Sequence, residues 1–117
     1  MPIPDWLKSQ KVEAQFRVGE EEWQLINITL EDDQGQYAAP DDSEKGILHY
    51  IAHGQHPHGG EVFLIHWQES HGPLAGHTGI DTLWFQKREE GIAVRGTFFL
   101  DQSTDYGEIS SATTLLR

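Results

Sequence analysis

Apolar and polar residues alternate strictly from Val12 to Val18 (Val-Glu-Ala-Gln-Phe-Arg-Val), a period of two that predicts a strand with one buried face. Gly19-Glu20 reads as a type II′ turn, because glycine is suited to its first central position. That turn sets Phe16 opposite Trp23 and Ala14 opposite Leu25, so Val12, Ala14, Phe16, Trp23 and Leu25 share the buried side. Ile26, Ile28 and Leu30 then fall on the opposite parity, which requires a bulge or a second strand covered on both faces.

The same reasoning predicts a second hairpin, Thr82–Glu89 with Ile92–Leu100, turning at Glu90-Gly91. Leu83 then faces Phe98 and Phe85 faces Gly96 on an apolar side, while Trp84 faces Thr97 on a polar one. A three-residue loop ending at Gly91 is the competing register and places Trp84 opposite Gly96. Between the hairpins, Glu61–Gln68 is apolar on both parities and reads as a central strand. Ile-Leu-His-Tyr-Ile-Ala near 47–52 favours β, with a short helix over 43–53, capped by Asp42 or Ser43, as the alternative. Pro, Gly and His crowd 54–60 and 70–79, which reads as two loops, and 109–116 reads as a closing strand. Residues 1–117 are thus expected to form one mainly β domain, an antiparallel sheet closing into a barrel or sandwich. The start, Pro4-Asp5-Trp6-Leu7-Lys8, is expected to cover an open sheet end.

Charge narrows the function classes. The net charge is −11, from 19 acidic and 8 basic residues, which disfavours direct nucleic-acid binding because phosphate neutralisation needs a basic face. Residues 1–45 carry 11 acids and 4 bases, against 3 acids and no base in 46–81. Glu20, Glu21 and Glu22, then Glu31, Asp32 and Asp33, then Asp41, Asp42 and Glu44 form short clusters. They are solvated turns or an acidic face for a basic protein partner. Trp84, on the polar side of its hairpin, is the best aromatic candidate for such an interface. Cysteine is absent, which excludes disulfides and thiolate metal sites and suits a reducing compartment. No signal-like start or membrane-length apolar run is present, so a cytoplasmic protein is expected.

All seven histidines lie within residues 49–77, a span without lysine or arginine. Imidazole binds transition metals and titrates near neutrality, so a divalent metal site or a pH-sensitive surface is worth testing. In His56-Pro57-His58-Gly59-Gly60-Glu61 the glycines allow the chain to bend so that His56, His58 and Glu61 converge. This run, with the apolar strand after it, resembles the first metal motif of the cupin family. The resemblance covers about residues 54–67 and implies a metal held by His56, His58 and Glu61, with His53, His66 or His77 completing the shell. Glu61 follows His58 more closely than in that family, and its second motif is missing from 80–117. His49 and His53 form another pair sharing one side of either a helix or a strand.

No nucleophile elbow, phosphate loop or dinucleotide fingerprint is present, and acids are so plentiful that no Asp/Glu pair stands out. Ser70, His71 and Asp101 offer only a nominal triad. Without a complete catalytic motif, the leading expectation is a non-enzymatic inhibitor or immunity-type protein that docks a basic partner, with homodimerisation as a further option. A cupin-like metalloprotein is the second reading. A small-molecule binder using an aromatic-lined barrel interior is the third.

Overall fold

The computed structural model describes residues 2–101 and 106–111, which form eight strands in a closed antiparallel barrel. In chain order these are β1 (Val12–Val18), β2 (Gln24–Leu30), β3 (Gly35–Ala38), β4 (Lys45–Gln55), β5 (Glu61–His71), β6 (Thr78–Arg88), β7 (Gly91–Leu100) and β8 (Tyr106–Ser111). Each strand pairs with the next, and β8 closes on β1 with Phe16 opposite Ile109. The expected β fold is therefore a barrel, and 43–53 belongs to the approach to β4 and to β4 itself, not to a helix. This up-and-down order differs from the double-sheet jelly roll of cupins, so the resemblance at 54–67 does not extend to the fold. The expected closing strand is β8, and residues 112–116 of that expectation lie outside the described residues.

The first hairpin is corrected by one residue. Phe16 pairs with Gln24 and Ala14 with Ile26, because residues 19–23 form a wider connection than a two-residue turn. A slip of one flips every side chain to the other face. Ile26, Ile28 and Leu30 therefore point inward, whereas Trp23 and Leu25, expected in the core, are exposed. Burying three branched side chains in place of two outweighs the tighter turn. Arg17 lies over the displaced Trp23 ring at 4.6 Å.

The second hairpin is corrected by two residues: Leu83 faces Gly96, Phe85 faces Val94 and Trp84 faces Arg95, turning at Glu89-Glu90 with Gly91 at φ 141°. An even slip preserves the faces, so Leu83 and Phe85 are buried as expected and Trp84 lies outside.

Alternating up and down puts the β1–β2, β3–β4 and β5–β6 connections at one end of the barrel, and the β2–β3, β4–β5 and β6–β7 connections at the other. The second end is plugged by residues before β1. Pro4 O accepts from Leu7 and Lys8 N–H, and this turn drives Ile3 and Leu7 into the barrel. Asp32 accepts from Ile3 N–H and pairs with Lys8, Glu31 accepts from Ser9 Oγ, and Ser9 N–H donates to Leu30 O. Above the plug lies a packed layer of Leu30, Phe63, Ile65, Leu83, Phe85 and Val94, with Phe63 and Phe85 edge to face at 5.8 Å.

Candidate functional site

Between the packed layer and the unplugged end, the barrel encloses a cavity of about 50 Å³, walled by Phe16, Tyr37, Trp67 and Phe98 with Ile26, Ile28, Leu48 and Ile109. An eight-stranded barrel has room for side chains or for one small ligand. Here glycines make the room. Tyr37 sits opposite Gly46, Trp67 opposite Gly79 and Phe98 opposite Gly107, and a Cβ at any of these glycines would fall within 2.0–2.7 Å of the facing ring. Each ring therefore lies flat along the neighbouring strand and leaves the axis open.

Carboxyl groups line this apolar space. Glu44 comes from the β3–β4 connection, Glu69 from the end of β5 and Asp81 from the start of β6, and all three are buried and line the cavity. Glu69 Oε1 accepts from Tyr37 Oη at 2.8 Å and Oε2 accepts from Leu74 N–H at 2.6 Å. Those bonds fold the 72–77 connection over the barrel end, where Leu74 joins Glu44 at the rim. Burial, then a hydrogen bond and the charge of Glu69, pushes the Glu44 carboxyl up to about 8. Burial raises Asp81 well above the usual carboxylate range, and it holds the Tyr37 phenol up, aided by its bond to Glu69.

Two residues that line the cavity carry polar groups without a partner among the described residues. No hydrogen bond or ion pair engages the Asp81 carboxyl, and the buried Trp67 Nε1–H has no acceptor, among the described residues. Buried polar groups are nearly always satisfied, so these two stand out. No basic side chain among the described residues lines the cavity.

The histidine-rich middle does not assemble into one centre. His53 points inward, stacked on Phe63 at 4.4 Å, with Nε2 3.4 Å from Glu61 Oε2. His56 lies flat on Trp84 at 3.7 Å and its Nδ1 accepts from His58 N–H, which occupies one of its two possible ligand atoms. His66 stacks with His49 on the outer wall and contacts Thr78 Oγ1. His77 pairs with Asp101 at the opposite end from His56. No cluster of three or more metal-ligating side chains occurs among the described residues. Ser70, His71 and Asp101 form no triad either: Ser70 Oγ donates to Lys45 O, and Asp101 pairs with His77.

The acidic candidates separate as well. Glu20, Glu21 and Glu22 stand exposed at the cavity end, with Asp41 and Asp42, whereas Glu31, Asp32 and Asp33 lie at the plugged end, where the first two hold the plug. Six acids expected on one face therefore occupy two opposite ends. Trp84 Nε1–H donates to Gly59 O at 2.8 Å, so this ring pins the 56–60 connection.

Sequence reasoning missed Glu69 and Asp81, and it placed Glu44 with Asp41 and Asp42 in a surface cluster, whereas Glu44 is buried. The available signal was parity: in Glu61-x-Phe63-x-Ile65-x-Trp67-x-Glu69 and Asp81-x-Leu83-x-Phe85 the acids occupy the inward, apolar phase. No helix among the described residues is long and apolar enough to cross a membrane. No protein-family model, curated protein or solved structure matches the chain.

Proposed function

We propose that this protein binds a small molecule in the upper interior of its barrel. The observation carrying this reading is the aromatic cavity lined by Asp81, whose buried carboxyl is unpartnered among the described residues, and by Trp67, whose Nε1–H has no acceptor among them. Apolar walls with a few convergent polar groups are the usual composition of a ligand pocket. Nothing in the cavity supplies a nucleophile with an adjacent base, so the reading is binding without chemistry.

A fragment screen by thermal shift tests it, using wild type beside Ile28→Phe, which fills the cavity. A binder present at 100 times its Kd stabilises the native state by about 2.7 kcal/mol. A saturable rise in melting temperature is expected in wild type and not in Ile28→Phe. Equal rises in both proteins would place the ligand elsewhere.

Docking of a basic protein is the second reading, favoured by the exposed Glu20–Glu22 at the cavity end. Reversing these three residues to lysine separates the two. Interior binding of a neutral fragment keeps its affinity, whereas capture of a basic partner is lost together with its salt dependence.

A further inference from the structure

Resting on the interior-binding reading, we infer that the cavity is a site for a small primary amine, whose ammonium group sits at Asp81 while its carbon chain lies against the aromatic rings. Three carboxyl groups line an apolar cavity to which, among the described residues, no lysine, arginine or histidine contributes to balance them. Burying a carboxylate without a counter-charge is costly, and a cation bound at this point removes that cost. Asp81 is the sharpest indicator: it is 6% exposed, lines the cavity and has no bonding partner among the described residues. Glu69 differs, since Tyr37 and Leu74 already fix both of its oxygens in place. A primary ammonium offers N–H donors to the open Asp81 carboxyl, and rings such as Trp67 and Phe98 favour a cation placed over or beside them.

Size and access agree with this class. A buried water needs roughly 10–15 Å³ of such space, so the cavity of about 50 Å³ takes a ligand of about four non-hydrogen atoms, or the ammonium end of a longer one leaving past Leu74. The exposed Glu20, Glu21, Glu22, Asp41 and Asp42 stand at the same end and draw cations toward it.

Binding is linked to protons. Around Asp81 the titratable groups are Tyr37 from β3, Glu44 from the β3–β4 connection and Glu69 from β5, while β1, β2, β7 and β8 present uncharged side chains to the cavity. Asp81, raised by burial, gives up its proton when a cation arrives, so affinity rises with pH.

Isothermal titration of the full chain with propylammonium chloride, n-propanol and potassium chloride tests the inference. Propylammonium is expected to bind at least tenfold more tightly than n-propanol, to release protons as read from the buffer dependence of the heat, and to lose at least tenfold in affinity in Asp81→Asn and in Asp81→Ser. Using two variants guards against one failing to fold. Equal binding of n-propanol, equal competition by potassium, or unchanged affinity in both folded variants would overturn the amine assignment and leave the interior-binding reading intact. If neither propylammonium nor n-propanol binds and the fragment screen is also silent, both readings fall.

Discussion

Glu44 and Asp81 reverse the usual dependence of stability on pH. Burial raises both carboxyls above their ordinary values, so the folded state holds protons that the unfolded chain has already released. Their contribution to stability is complete below the ordinary carboxyl value of 4.5 and is lost as pH rises through about 8 for Glu44. The melting temperature should therefore fall between pH 5 and pH 8.5, and Glu44→Gln should flatten that slope. A variant whose slope equals that of wild type would show that Glu44 does not hold its proton in the folded protein. These residues were legible only in hindsight. Both Glu69 and Asp81 stand in phase with buried apolar neighbours, yet in a chain with 19 acids a carboxyl on the inward parity gives no local signal until the register is known. The histidines misled for the opposite reason: proximity in sequence stood out, but alternation along β4 and β5 sends His53 inward and His66 outward.

Strands and faces were readable where turn chemistry was not. The period-two pattern found β1, β5, β6 and β7, but register depends on loop length, and neither Gly19-Glu20 nor Glu90-Gly91 makes the turn its composition suggests. An odd slip exchanged the faces of β2 and an even slip left β6 and β7 unchanged, which is why Trp23 was misplaced and Phe85 was not. β3 escaped notice because four residues, Gly-Gln-Tyr-Ala, contain little periodicity. Its tyrosine nevertheless organises the cavity. Gly46→Ala should push the Tyr37 ring off β4, costing about 1–3 kcal/mol and weakening any interior ligand through loss of the bond to Glu69. Denaturant unfolding and the titration above check both effects. The plug offers a matching prediction: Leu7 is fully buried, and Leu7→Ala should cost about 2–5 kcal/mol while leaving ligand affinity intact, since it fills the other end of the barrel.

The barrel thus has unlike ends. One is sealed by the chain before β1, which consumes Glu31 and Asp32 in holding it, and the other carries exposed acids around an aromatic cavity that itself contains unpaired acid. That polarity gives the surplus of negative charge a reason beyond keeping the protein in solution: it is concentrated where a cation would enter. The four tryptophans report on different parts of this arrangement, with Trp6 at the plug, Trp23 exposed near the cavity end, Trp67 in the cavity wall and Trp84 on the outer wall. Recording the indole N–H resonances during titration with propylammonium chloride therefore locates the ligand without a mutation. Occupation of the interior predicts a saturable shift of Trp67 with Trp6 and Trp84 unmoved, and a shift confined to Trp23 or Trp84 while Trp67 stays still would contradict it.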